Sequence, residues 1–350
     1  VLRDSWPELV EGHESRSTNQ PFGIVIFTEQ PNPYLVRKSK PVSPVVSILM
    51  VTYNSSALLA ACLNSIAAST AVEHEIILVD NASQDDTVAL TRRNYPAVRM
   101  LENQQNRGFS AAVNQAGHLA QGRYLLLLNP DTIVHAGAID RLVEELDRHP
   151  QAGLAAPRTV NPDGSLRTNH WPFQRFRIML LNHLLQGRFR RFWRFFRRPT
   201  VRLQGEQVQY AESFSGAVLL IHADLYRALH GLDERFFMYF EDMDFCYRAY
   251  QAGRPALYVP QAVVTHAGGR STPGDELLYL NKIGKYFLAS QYRYVQKHSG
   301  IWAMLVIRLA HLLTGIIYCC RGRLQPNGNR RKADLDRGRI LLQMAASFYR

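Results

Sequence analysis

Three acidic stretches in this 350-residue chain have types and spacing that could do chemistry. "LLLLNPDT" (125–132) runs four leucines into Asn129, Pro130 and Asp131. "ILVDNAS" (77–83) runs an apolar strand into Asp80 and Asn81. "FFMYFEDMDFCYRA" (236–249) sets Glu241, Asp242 and Asp244 within one helical turn. Proline lacks an N–H and ends a ladder, so the chain must leave the sheet at Pro130 and present Asp131 at its lip. A carboxylate there suits a hard divalent cation. The competing reading is that Asp131 or Thr132 caps the helix expected over 136–149. Asp80 would accept a hydrogen bond from a base or ribose, or cap a helix at 85. Phe236, Phe237, Tyr239 and Phe240 would desolvate a neighbouring carboxylate and raise its basicity, as a general base requires. At least one of the three acids there would simply complement the helix dipole.

Two further stretches carry candidate ligands. "NRGFSAAVNQA" (106–116) puts Arg107 and Gly108 just before a helix N-terminus, where free N–H groups and a guanidinium would receive a diphosphate. His266, in "VVTHAGG", ends an apolar strand before two glycines. It reads as a structural histidine or as a metal ligand.

These residues need a scaffold, and the apolar pattern supplies one. Strands are expected at 45–54, 74–83, 98–106 and 123–131, with helices at 56–69, 85–95 and 110–121 between them. This alternation predicts an α/β fold with a mainly parallel sheet and helices on both faces. Ligands in such sheets bind beyond the carboxyl ends of the strands. All four of those ends are polar here: Thr52-Tyr53-Asn54, Asp80-Asn81, Asn103 to Asn106, and Asn129-Pro130-Asp131. The second half is less regular, with strands at 153–160, 216–221 and 256–269 and helices at 223–232, 241–253 and 275–298.

The net charge of +12 is uneven. Residues 186–198 hold six Arg and no acid; residues 321–339 hold seven Lys or Arg against Asp334 and Asp336. The basic charge therefore belongs to two local surfaces. Four cysteines without a CxxC pair suggest neither a zinc site nor a disulfide framework, and a reducing compartment fits best. Asp4, Glu8, Glu11 and Glu14 argue against a secretory signal in residues 1–20.

"SILMVTYN", "ILVDNAS", "NRGFSAAVNQA", "LLLLNPDT", "FSGAVLLI", "FMYFEDMDFCYRAYQAG" and "YVPQAVVTHAGG" occur in the order and spacing of family 2 glycosyltransferases. Over residues 45–298 the chain most resembles their bacterial rhamnosyltransferase-like branch. The resemblance implies a GT-A fold, a nucleotide-sugar donor (dTDP- or UDP-linked), a divalent metal (Mg²⁺ or Mn²⁺) and an inverting mechanism. It implies that Thr52, Tyr53, Asn54, Asp80 and Asn81 hold the base and ribose. Arg107, Gly108, Asn114, Asn129 and Gly216 would lie near the donor. Asp131 and His266 would hold the metal, and Asp242, with Glu241 as the fallback, would be the base. One departure stands out: Asn129 replaces the first acid of the family's Asp-x-Asp motif.

The expected organisation is an extension of unassigned role (1–44), a nucleotide-sugar half (45–150), an acceptor half with a basic insert (151–298) and a C-terminal membrane-associating region (299–350). In "FRRFWRFFRR" (189–198) aromatic residues recur at helical spacing opposite arginines, a pattern suited to an anionic membrane interface. Residues 301–320 are long enough to span a bilayer, but Arg308 and His311 favour an interfacial or packed helix. Together these features predict a peripheral protein on the cytoplasmic face of the plasma membrane acting on a lipid-linked saccharide. A nucleotidyltransferase would need a Gly-rich loop with Lys after the first strand, which "TYNSSALL" lacks. No nucleic-acid partner is expected, because the strand-end surface is not basic.

Overall fold

The computed structural model describes residues 44–177, 179–180, 207–267 and 282–347. All of them fall in one compact unit, 43–350. The extension 1–43 and the Arg-rich stretch 186–198 lie outside the described residues.

The first half follows the expected alternation: β1 (Val46–Thr52), α1 (Ser56–Ser69), β2 (His74–Asp80), α2 (Thr87–Asn94), β3 (Arg99–Glu102), α3 (Phe109–Leu119) and β4 (Tyr124–Leu128). β1 pairs in parallel with β2 and β4, and β2 with β3. Alternation of side chains across the pleat explains the leucine run. Leu125 and Leu127 enter the core beneath α3, with Leu49, Val79, Ala112 and Ala116. Leu126 and Leu128 enter the opposite core, with Leu59, Ile66 and Leu142. A strand covered on both faces has no polar side to spare.

Beyond β4 the sheet turns mixed. β5 (Thr132–Val134), α4 (Ala138–Arg148), β6 (Leu154–Val160), β7 (His170–Trp171), β8 (Gln209–Ala211), β9 (Ser213–Phe214), β10 (Val218–His222), α5 (Ala223–Ala228), α6 (Glu241–Gln251) and β11 (Ala256–His266) follow. Nine described strands form one sheet, ordered β3-β2-β1-β4-β10-β6-β11-β5, with β8 also on β11. β10 enters antiparallel between β4 and β6, and β5 runs antiparallel to β11. "Mainly parallel" therefore holds for the first half only. β5 was not expected. Asp131 does not cap α4, because β5 intervenes and Gly137 stands at the N-cap.

The chain closes with α7 (Lys282–Leu324), broken at Gly300 (φ 88°), and α8 (Gly328–Ala346). Leu288, Tyr292 and Val295 of the first arm join Met304, Ile307, Leu341 and Met344 in a third core. The second arm and α8 form a close hairpin. A Cβ on Gly338 would lie 2.8 Å from the Gly315 carbonyl oxygen, so these backbones touch where neither has a side chain.

Candidate active site

The carboxyl ends of β1 and β2 are laced to each other. Thr52 Oγ1 donates to Asp80 Oδ1 (2.9 Å), and Ser83 donates to the same carboxylate from its backbone N and its hydroxyl. Asp80 is thus a buried pin, not a cap for α2. The loops beyond are tied by Ser83 Oγ accepting from Asn54 N (2.8 Å), and by Asp85 accepting from Ser56 and Thr87. Slight burial would raise the Asp85 carboxyl, but those hydrogen bonds bring it down to about 2. Asn54 adopts a left-handed conformation (φ 52°), and the Tyr53 ring beside it is half exposed. That ring and the surrounding backbone are the surface left for a flat ligand.

Asn81 is buried and joins the next two strand ends. Its amide donates to the Gly108 carbonyl (3.1 Å), and its oxygen accepts from Asn103 (2.8 Å). The expected diphosphate seat at the start of α3 is filled by protein. Phe109 N donates to the Phe237 carbonyl (2.7 Å), and a Cβ on Gly108 would lie 2.6 Å from that oxygen. The first free N–H of the helix is therefore already satisfied, while the Arg107 side chain stays exposed. Asn114 also departs from expectation. Its oxygen accepts from Tyr226 Oη and Leu232 N, and its amide donates to the Leu232 carbonyl and Glu234. With all four hydrogen-bonding positions engaged inside the protein, Asn114 ties α3 to the 229–236 loop.

Asp131 and His266 meet across the sheet's other half. β5 and β11 align Thr132 with His266, and His266 Nε2 lies 3.2 Å from Asp131 Oδ1. Burial would raise the Asp131 carboxyl; His266 and the charge of Arg167 outweigh it and hold the group below the usual range. Arg167 was not anticipated, since an arginine after the 161–165 turn carries no signal of where the ribbon returns. Cys62 was likewise missed. Its thiol, pushed by burial to about 11, lies under the turn at 3.5 Å from Thr132 Oγ1. One carboxylate oxygen and one imidazole nitrogen, both partly exposed, are a fitting donor pair for a divalent ion whose other ligands come from substrate and water. Asn129 holds its place by donating its backbone N–H to the Ala217 carbonyl (2.9 Å).

That contact leads to the acids of α6. The β4–β10 register aligns Val218 with Leu128, and the Asn129–Ala217 bond extends it, so Gly216 falls opposite Pro130. Gly216 N donates to Asp242 Oδ2 (2.9 Å), and Met243 N donates to Oδ1 (2.7 Å). Gly216 is therefore a positioning residue for Asp242. Asp242 is half-buried. Burial raises its carboxyl above the usual range, and the two N–H groups limit the rise. Glu241 is buried outright, with Oε2 unpartnered among the described residues. Burial, then the nearby Asp242, push its carboxyl well above the usual range. Tyr239 and Phe240 precede this turn in left-handed conformations (φ 70° and 68°), which side chains rarely adopt. Asp244, itself fully buried, points the other way into a partly buried cluster. It pairs with Arg248 (2.8 Å), Lys297 (2.7 Å) and His298 (2.8 Å). The hydrogen bond from His298 and the charges of Arg248 and Lys297 outweigh its burial and hold it below the usual range.

The model of the family "Glycosyl transferase family 2" matches residues 47–205. A Mycobacterium tuberculosis protein named N-acetylglucosaminyl-diphospho-decaprenol L-rhamnosyltransferase is 32% identical over 277 residues, covering 74% of this chain and 86% of that protein. The chain belongs to glycosyl transferase family 2. It is a glycosyltransferase of the rhamnosyltransferase-like kind. A Pasteurella multocida chondroitin synthase shares 28% identity over 199 residues, 53% of this chain and 20% of that longer protein. The mannosyltransferase PcManGT from Pyrobaculum calidifontis, solved with GDP-Man and Mn²⁺, superimposes with a TM-score of 0.50 at 18% identity over 87% of each chain. That likeness confirms the GT-A fold expected of the family.

Two outcomes follow from the buried acids. Asp244→Asn leaves Arg248 and Lys297 facing a neutral group and should cost roughly 3–5 kcal/mol in urea unfolding. Asp244's folded pKa lies below its unfolded one, so its stabilisation is present at neutral pH and lost as pH falls through the folded value. The variant should lose that acid-side dependence. Glu241 has the opposite sign: its folded pKa is raised, so stability falls as pH climbs above the unfolded value of about 4.5. Glu241→Gln should flatten that fall above the unfolded value, measured as Tm against pH.

Proposed function

We propose that the protein is an inverting, metal-dependent glycosyltransferase that moves a sugar, L-rhamnose from dTDP-rhamnose in the first instance, onto a lipid-linked saccharide at the cytoplasmic face of the plasma membrane. The observation that carries this reading is the placement of Asp242. A half-buried carboxylate of raised basicity is held by two backbone N–H groups one ladder step from the turn that presents Asp131. The donor sugar and acceptor rest on the name of the mycobacterial relative, and metal use is supported by the Mn²⁺ in the archaeal mannosyltransferase structure. Residues 45–150 would form the donor half and 151–298 the acceptor half.

In this reading Tyr53, Asn54 and the pinned Asp80–Ser83 turn bound the nucleotide, with Arg107 at its phosphate side. Asp131 and His266 would hold the ion. When bound, it neutralises charge on the departing diphosphate. Asp242 takes the proton of the acceptor hydroxyl as that oxygen bonds to the anomeric carbon. The bond from that carbon to the diphosphate breaks on the opposite face, inverting the centre. Gly216 and Met243 hold the carboxylate in place, and its raised pKa makes it a better base than an exposed aspartate. Envelope polysaccharide synthesis is the setting such an acceptor implies.

Asp242→Asn should lower transfer by about 10²–10⁴-fold, the usual worth of a general base, while nucleotide binding persists. Protection against thermal unfolding by dTDP- or UDP-sugars should require Mg²⁺ or Mn²⁺ and should vanish in Asp131→Ala. Undiminished transfer by the Asn variant would remove Asp242 as the base. Metal-independent protection would remove the ion from donor binding.

A further inference from the structure

We propose that the second arm of α7 docks flat on an anionic phospholipid bilayer through one continuous apolar face, without crossing it. Trp302, Val306, Leu309, Leu313, Ile317, Cys320 and Leu324 are all exposed and recur every three to four residues. They form a single stripe on the helix, about 33 Å long at 1.5 Å per residue. Trp302 is 78% and Leu324 85% exposed, and among the described residues nothing covers them. Near the tip, Ile316, Ile317, Cys320 and Leu324 line an open groove of about 470 Å³ with Arg321 at its edge. Apolar walls ending at a guanidinium suit an acyl chain and its phosphate.

The polar residues of the arm face the other way. Arg308 is buried and donates to the carbonyls of Met344, Ala345 and Ser347, closing the C-terminus of α8. His311 is buried against Tyr292 Oη (2.7 Å). Asp334 pairs with Arg321 (2.9 Å), and α8 carries further charges along its length. A transmembrane hairpin would take those charges into hydrocarbon, whereas a flat one buries only the stripe. Charge selects the occupant. Arg321, Arg323, Arg330, Arg331 and Lys332 are exposed around the tip, and residues 301–333 contain no Asp or Glu. Arg321 is already met by Asp334; a second copy of this face would bring no acid from residues 301–333 to meet the other cations, whereas anionic headgroups would. The inference is independent of the transfer chemistry proposed above.

Flotation of the full chain tests it, using phosphatidylcholine vesicles with or without phosphatidylglycerol. The wild type should float with the anionic vesicles, float less with the neutral ones, and be released by high salt or carbonate. Leu309→Glu/Leu313→Glu should reduce flotation about tenfold or more, with an unchanged Tm because both positions are exposed. Arg330→Glu/Arg331→Glu/Lys332→Glu should remove the preference for phosphatidylglycerol. Any one of four results overturns the proposal: no flotation of the wild type, carbonate-resistant insertion, a dimer in light scattering that the Leu→Glu pair dissociates, or wild-type flotation of that pair, which would move binding to another surface such as residues 186–198.

Discussion

Three carboxylates in one buried turn are the constraint around which the rest of this site is organised. Water solvates a carboxylate far better than a protein interior does, so each of Glu241, Asp242 and Asp244 needs its own remedy. Asp244 is paired with Arg248 and Lys297 and hydrogen-bonded to His298. Asp242 keeps some solvent and receives two backbone N–H groups. Glu241 has neither, and burial with the neighbouring Asp242 pushes its carboxyl well above the usual range. One helical turn thus holds three carboxyl groups of different acidity, separated by environment and not by residue type.

The cluster around Asp244 reaches well beyond α6. Lys297 and His298 lie on the first arm of α7, and Lys297 also pairs with Asp233 (2.7 Å) in the loop that Asn114 ties to α3. Phe237, whose carbonyl caps α3, stacks on Tyr286 of the same arm at 4.5 Å. The C-terminal hairpin is therefore joined to the catalytic turn through buried ion pairs and ring contacts. A surface engaged by the hairpin is mechanically continuous with the site.

Much of the architecture was legible because it rests on local physics. The β-α-β alternation, the two-sided burial of the leucine strand and the polar strand ends all follow from the apolar period and from where proline and asparagine stop it. The pairing of Asp131 with His266, named from a resemblance, appears as a 3.2 Å contact between residues far apart in the chain. Other expectations were local as well and could not foresee partners from far along the chain. A glycine before a helix looks like a phosphate seat until Phe237 arrives from elsewhere to occupy it. Asn114 looks like a ligand contact until Tyr226, Leu232 and Glu234 use up its hydrogen bonds. β5 is three residues long, too short to leave a period, and exists because β11 offers it an edge.

By itself, the order of residues determined the sheet's first half, the kinds of chemical groups at its rim and the family to which those groups belong. It could not determine how the acids of α6 differ in acidity, because that depends on depth and on donors contributed by Gly216 and Met243 once the chain has folded. Nor could it say which way Arg308 points. Helical spacing put a charge in the middle of an apolar run, and only the packing of α8 against α7 turned that charge inward and left the opposite face wholly apolar. Periodicity is a property of neighbours along the chain; protonation, and the side of a helix that meets solvent, are properties of neighbours in space.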